Sequence, residues 1–275
     1  MKRVLIIITT LLCVLFTGMM GQTSYAAKKV IAVPGIHSDM GPGGDTAARD
    51  FESQLIGALI NSGQYDVVER ARLEEAMQEI GLGLTGIIST ESAVQLGEMT
   101  GADYVLSGSL LDAHVEPYNN ILWSGFRAKV KFEIRLVDIH TGIIKFSEIV
   151  EGSKTAVADI GQNATIGQAV NDAADNVIEL LNEKNPLTGT VVHVNDNQVY
   201  LDIGSENGVR VGEKFIAYRE GKPIIHPVTH EMIAVEENKI GMVKIVDVKS
   251  DYAICEISSG KGQIRSGDKV KRGHK

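Results

Sequence analysis

Between Arg127 and Leu136 every second residue is apolar: Ala128, Val130, Phe132, Ile134 and Leu136 alternate with Arg127, Lys129, Lys131, Glu133 and Arg135. A period of two puts the first set on one face of a β-strand and the second on the other, so this strand is predicted to be buried on one side only. Upstream the period changes. Phe51, Leu55 and Leu59 fall four apart with Ile56 and Ile60 beside them, which predicts a helix starting at Asp45 or Thr46, either a good N-cap, and running to Asn61 before Gly63. "KKVIAV" precedes it as a first strand, "YDVVE" follows as another, and "RARLEEAMQEIGL" is a helix with Leu73, Met77 and Ile80 on one face. Thr90 is placed to cap a short helix that ends at Thr100 before Gly101; "ADYVLSGSLL" then enters a sheet interior. After the Arg127–Leu136 strand, "VDIHTG" turns and "IIKFSEIVEG" returns. A last helix runs from about Thr165 to Asn182, with Ile166, Val170, Ala173, Val177 and Leu181 as its stripe. Strands alternating with helices predict a mixed sheet covered by helices.

Asn185 and Pro186 end this pattern, because proline restricts the residue before it and cannot continue the helix. From Leu187 to Gly273 only short alternating strands separated by Gly, Asn and Asp turns remain, the pattern of a small all-β, SH3-like barrel. It repeats itself: "GTVVHVNDNQVYLDIGSENGVRVGEKF" from Gly189 and "GMVKIVDVKSDYAICEISSGKGQIRSGDKV" from Gly241 align with an offset drifting from 52 to 55 residues. Two copies are too few for a solenoid, so each is predicted to supply about three strands of one barrel, with Gly208, Gly212, Gly262 and Gly267 in turns. The expected fold is α+β with three segments: a leader over 1–26, a mixed α/β domain over 27–185 and a β-barrel over 186–275.

The leader is read from Lys2 and Arg3, the apolar run from Val4 to Phe16, and the small residues around "TSYAA", with cleavage after Ala26. That run is roughly half of the ~20 residues a spanning helix needs. Cys13 lies inside it after Leu11 and Leu12, so the small-residue context of a lipidated cysteine is missing. Loss of the leader leaves Cys255 as the one cysteine, which excludes an intrachain disulfide in a periplasmic protein. A chain of 275 residues with 44% apolar and 23% charged residues has material for two cores and is neither disordered nor fibrous. Its net charge of −8, which becomes −10 without Lys2 and Arg3, argues against a general nucleic-acid binder.

Four stretches carry chemistry-bearing side chains. "GIHSDMGPGGD" suggests a phosphate cradle, but it lacks the lysine of such loops and carries Asp39 and Asp45; the reading is a flexible surface loop with no cofactor. His226, His230 and Glu231 are the candidate metal ligands. Pro227 prevents the helix on which four-residue spacing would align two imidazoles, so a polar loop inserted between the half-barrels is the competing reading. Asp112, His114 and Glu116 share one strand face without a nucleophile motif and are read as solvated. Tyr118, Trp123 and Phe126 cluster at the "EPYNNILWSGF" hairpin as candidates for contact with a partner or with lipid.

Taken in order, "VIAV", "YDVVERARLEEAMQE", "TGADYVLSGSL" and "FEIRLVDIHTGII" resemble the curli production assembly/transport family, the CsgG and HfaB group, over roughly Lys28 to Lys184. "DIGSENGVRVGEKF" separately resembles the terminal barrel of flagellar assembly protein T. The resemblance implies a non-enzymatic envelope protein of a diderm bacterium, exported to the periplasm, peripheral to the outer membrane, with envelope proteins or further copies of itself as partners. The family's channel members are lipoproteins that extrude two long hairpins per subunit. Here Leu110 to Lys131 is just long enough for one hairpin but carries Asp112, His114, Glu116, Arg127 and Lys129, and Gly152 to Ala164 is too short for a second. The expectation is an accessory scaffold for a curli-like or flagellar structure without a pore. A secretion-channel subunit and a metal-binding hydrolase using His226, His230 and Glu231 are the alternatives.

Overall fold

Strands β1 (Lys29–Ala32) and β2 (Ile36–Ser38) are two pieces of one broken strand, both parallel to β4 (Tyr104–Asn119). Pro34, which has no N–H to give the ladder, and Gly35 at φ 143° separate them. These assignments come from a computed structural model that describes residues 28–82, 88–119, 124–157, 161–227 and 232–273. The leader and residues 83–87 lie outside that set, as do Trp123, His230 and Glu231.

The mixed sheet has the order β3-β1-β4-β5-β6, with β3 at Tyr65–Val67, β5 at Ser124–Asp138 and β6 at Ile143–Val157. Strands β4, β5 and β6 form a long antiparallel meander. Helices α1 (Gly41–Ser62) and α4 (Gln162–Lys184) cover one face. Ala128, Val130, Phe132 and Ile134 are fully buried there, as the alternation predicts, and the Phe132 ring stacks on Phe51 with centroids 3.7 Å apart. Gly152 lets α4 come down onto β6: a Cβ at that position would lie 2.1 Å from the Ala169 carbonyl oxygen. Helices α2 (Arg70–Glu79) and α3 (Thr90–Thr100) build a second core on the opposite face, around Leu73, Met77, Leu96, Val105 and Val137.

Helix starts depart from the sequence reading. Helix α1 begins four residues earlier than Asp45, because Pro42 is suited to a first turn and the Thr46 hydroxyl donates inside the helix to the Pro42 carbonyl at 3.0 Å instead of capping it. Much of the expected Gly-rich surface loop is therefore β2 and helix. Ser89, not Thr90, caps α3, its Oγ accepting from Ser92 N at 3.1 Å. Helix α4 starts at Gln162, with the Thr165 hydroxyl donating back to the Gly161 carbonyl at 2.7 Å.

Strands β7 (Thr188–Asn195), β8 (Gln198–Leu201), β9 (Lys214–Ile225), β10 (Met232–Val248), β11 (Ala253–Ser259) and β12 (Lys269–Arg272) close a barrel in the order β10-β11-β8-β7-β12-β9. Exchanging β7, β8 and β9 with β10, β11 and β12 maps this order onto itself, so the sequence repeat is a structural pseudo-twofold. Matching details agree. Gly212 N donates to Ile245 O at 2.9 Å and Gly267 N to Val191 O at 2.8 Å; both glycines have positive φ, 94° and 91°. Val209 and Ile264, and likewise Phe215 and Val270, fill equivalent core places. Each copy also sends a carboxylate to an arginine of the other: Glu213 to Arg272 and Asp268 to Arg219.

Candidate functional site

The barrel meets the layered part at two glycines. Gly63, which ends α1, and Gly208, which ends a short 3-10 turn at Ser205–Asn207, both adopt left-handed conformations, φ 70° and 74°. Their backbones are so close that a Cβ on Gly208 would lie 1.7 Å from the Ser62 carbonyl oxygen. Around this contact Arg210 Nη2 donates to the Asn61 carbonyl at 2.9 Å and Gln64 Nε2 to Asn182 Oδ1 at 2.5 Å. Arg272 donates to the Gly208 carbonyl at 2.9 Å and to Glu213 at 3.1 Å, and its Nε is buried with no hydrogen-bond partner among the described residues. Burial pushes the Tyr65 phenol above its ordinary value, an effect partly offset by its hydrogen bond with Asn185.

Beside this joint a groove of about 1190 Å³ runs between α1, α4, β6 and the barrel. Gln54, Gly57, Ala58 and Asn61 come from α1; Glu148 and Glu151 from β6; Asp175, Glu179 and Glu183 from α4; Arg210, Glu213 and Arg272 from the barrel side. Glu148, Glu151 and Glu213 are ion-paired with Lys184, Lys131 and Arg272, and Arg210 is held by the Asn61 carbonyl, so the acidic excess of the lining comes from Asp175, Glu179 and Glu183 on α4. Such a surface favours a basic or amide-bearing segment. The volume exceeds the roughly 300–1,000 Å³ usual for small-molecule sites, and the groove lacks their predominantly apolar walls.

The groove was not anticipated from sequence. Its residues come from four separated stretches, and the local signals were Gly63 and Gly208, which the pattern identifies only as a helix stop and a turn. The anticipated residues lie elsewhere. Tyr118 stands opposite Gly125 on the charged face of the meander, with the Arg127 guanidinium 4.3 Å from its ring centre. Phe126 pairs with Pro117 on the other face, beside Ala156. The structure therefore sets Tyr118 and Phe126 on opposite faces of one hairpin instead of in one cluster, and Trp123 falls outside the described residues. Asp112 and His114 form a pair at 2.9 Å, while Glu116 lies 3.5 Å from Lys129, all on a solvated charge ladder. His226 follows Ile225, the last residue of β9, and His230 and Glu231 are outside the described residues. Among the described residues no group of three or more His, Cys, Asp or Glu side chains is arranged to hold a metal ion.

Cys255 is fully buried in the barrel core, and burial pushes its thiol from an ordinary 9.0 up to about 12. The folded state holds a proton that the unfolded state releases. The thiol's contribution to stability is therefore complete below pH 9.0 and is lost progressively as pH rises toward 12. The thiol is expected to resist a disulfide reagent at mildly alkaline pH and to react fully once the chain is denatured. Rapid modification of the folded protein would show that the barrel opens.

With this geometry in place, the chain compares with known proteins as follows. The family described as "Curli production assembly/transport component CsgG" matches residues 18–116, from ahead of β1 into β4. An uncharacterized protein of Aquifex aeolicus (strain VF5) is 31% identical over 84 residues; the match spans 30% of this chain and only 17% of that protein's length. Among solved structures, hypothetical protein CT253 from Chlamydia trachomatis is 15% identical with a TM-score of 0.40, over 56% of this chain and 96% of that one. The LpoB C-terminal domain from Escherichia coli is 22% identical with a TM-score of 0.35, over 51% and 92%. A PelC dodecamer from Paraburkholderia phytofirmans is 21% identical with a TM-score of 0.33, over 56% and 89%.

Proposed function

We propose that this chain is a non-enzymatic scaffold or accessory protein of a bacterial envelope, exported to the periplasm, which serves assembly or secretion of a surface structure by holding a partner polypeptide in the groove beside the joint. The observation that carries this reading is the groove itself: large, acidic, lined by carboxylates and amides, and built beside a close backbone contact between two folded parts. The family match over residues 18–116 supports the envelope setting. The buried, strongly protonated Cys255 is no nucleophile, which suits a binding role. In the channel-subunit reading β4 and β5 would leave the sheet to cross a bilayer. Strand β5 buries Ala128, Val130 and Phe132 against the helical layer, so release of the hairpin would uncover the main core.

Gly57 supplies the test. It sits on the groove wall inside α1, with open space where a side chain would grow. Gly57→Trp projects an indole into the groove, and tryptophan is a better helix former than the interior glycine it replaces, so the fold is expected to be kept. In the source organism, deletion of the gene is expected to remove at least one protein from the cell surface, read by surface biotinylation. The wild-type chain restores it, and the Gly57→Trp chain fails to, at equal abundance. An unchanged surface proteome in the deletion strain would contradict the reading.

A further inference from the structure

The two copies in the barrel agree inside and differ outside. One wall runs β7-β8-β11-β10, and the pseudo-twofold passes through its middle, where Tyr200 of the first copy pairs with its own equivalent in the second, Ile254. Inward positions correspond across that axis: Val199 and Leu201 match Ala253 and Cys255, and all four are fully buried. The outward positions have diverged. His193 stands where the second copy has Asp247, and Tyr252 where the first copy has Gln198, so one row crosses the wall as His193, Tyr200, Ile254 and Asp247 with Tyr252 beside it. The shared interior is what closing the barrel requires; three aromatic rings gathered on the wet side are not explained by it.

The rings are neighbours. His193 and Tyr200 have ring centres 5.6 Å apart with planes at 57°, and Tyr200 and Tyr252 have centres 6.5 Å apart with planes at 29°. At those separations no ring covers its neighbour's face. His193 is exposed, Tyr252 is 36% exposed and Tyr200 is half-buried. Among the described residues neither phenol oxygen nor the His193 ring makes a hydrogen bond, so the fold leaves their polar tips unused. Val192 and Val246, bulge residues at equivalent places on β7 and β10, border the row. Around it lie Lys244, Lys249, Asp247, Asp251 and Glu256, one negative charge in excess, with Lys249 paired to Asp247 at 2.9 Å. The row crosses four strands, roughly 14 Å, and Tyr252 to Ile254 adds about 7 Å along the strand. That footprint is a small part of the roughly 800 Å² per partner that a stable protein interface buries. The outer wall of a barrel also encloses nothing, unlike the concave sites of apolar ligands. Open aromatic faces bordered by carboxylates and amides suit a pyranose, whose C–H face lies on a ring while its hydroxyls reach the rim. Ring spacings of 5.6 and 6.5 Å are close to that of successive sugars in an oligosaccharide, and the negative excess disfavours an acidic one.

We infer that the β7-β8-β11-β10 wall binds a neutral, β-linked, gluco-configured glycan, with Tyr200 and Tyr252 as stacking platforms and His193 as a hydrogen-bonding flank. The test is an NMR titration of the exported full chain with chitohexaose and, separately, with cellohexaose, read at the backbone amides. Saturable shifts are expected at His193, Tyr200, Tyr252 and Ile254. A response to chitohexaose alone would support the inference with an amino-sugar chain of the cell-wall type as the source, and a response to cellohexaose alone would support it with a glucan. Tyr200→Ala and Tyr252→Ala are each expected to weaken the affinity about tenfold, while Tyr200→Phe, which keeps the ring, retains most of it. Tyr252→Ala serves alone if Tyr200→Ala fails to fold. No saturable shift with either sugar, shifts away from this wall, or alanine variants that bind as well as the wild type would overturn the inference. So would a wild-type dimer that Tyr252→Ala makes monomeric, since the wall would then be a self-contact. None of these outcomes bears on the groove, so failure here leaves the proposed function standing.

Discussion

Truncating Phe132 to alanine is expected to lower the stability of the layered part by about 3–5 kcal/mol, the range for removing a fully buried aromatic ring. Phe132 is 0% exposed at the centre of β5, and its ring lies nearly parallel to Phe51, itself 0% exposed, at 12° between planes. Removal leaves a cavity between sheet and α1 that neither element can close, because α1 is also held through Leu55 and Leu59 and β5 is paired on both edges. Whole domains are stable by only 5–15 kcal/mol, so the variant should unfold at markedly lower urea with an unchanged slope. A loss below about 1.5 kcal/mol would mean that the helical layer repacks freely and the described core is wrong.

The second large effect belongs to the joint. Gly208→Ala is expected to break the contact between barrel and layered part. A left-handed conformation costs an alanine about 1–2 kcal/mol, and the new methyl would also meet the Ser62 carbonyl at 1.7 Å, a backbone clash that no side-chain rotation relieves. Gly212→Ala is the control: its φ is 94°, yet nothing lies within 4 Å of the added carbon, so it meets only the conformational cost. Calorimetry should show one transition for the wild type and for Gly212→Ala, and two separated transitions for Gly208→Ala, with new proteolysis near Asn185 and Pro186. A single transition in all three would show that the two parts do not depend on this contact.

What was legible in the sequence follows from how local each signal is. The alternation through β5 reports its own burial because a strand's two faces are written in adjacent residues; Ala128 to Leu136 read correctly for that reason. The barrel was legible through its duplication, since Gly212 with Gly267 and Phe215 with Val270 recur at a fixed offset. The break between β1 and β2 was hidden because Pro34 and Gly35 read as the end of a strand, while β2 takes its strand pairing from β4, some seventy residues away. The start of α1 was misplaced because "MGPGG" has loop composition although Pro42 suits a first helical turn. The groove was invisible because it exists only when Gly63 and Gly208 meet.

The central claim, that a partner polypeptide lies in the groove, is tested most directly by a photoreactive residue placed at Gln54 on its wall, with Gln78 on the outer side of α2 as the control, in living cells of the source organism. Irradiation is expected to give a discrete covalent adduct from position 54, identified by mass spectrometry as one envelope protein and abolished by Gly57→Trp, and none from position 78. No adduct at position 54, or the same adducts from both positions, would contradict the account.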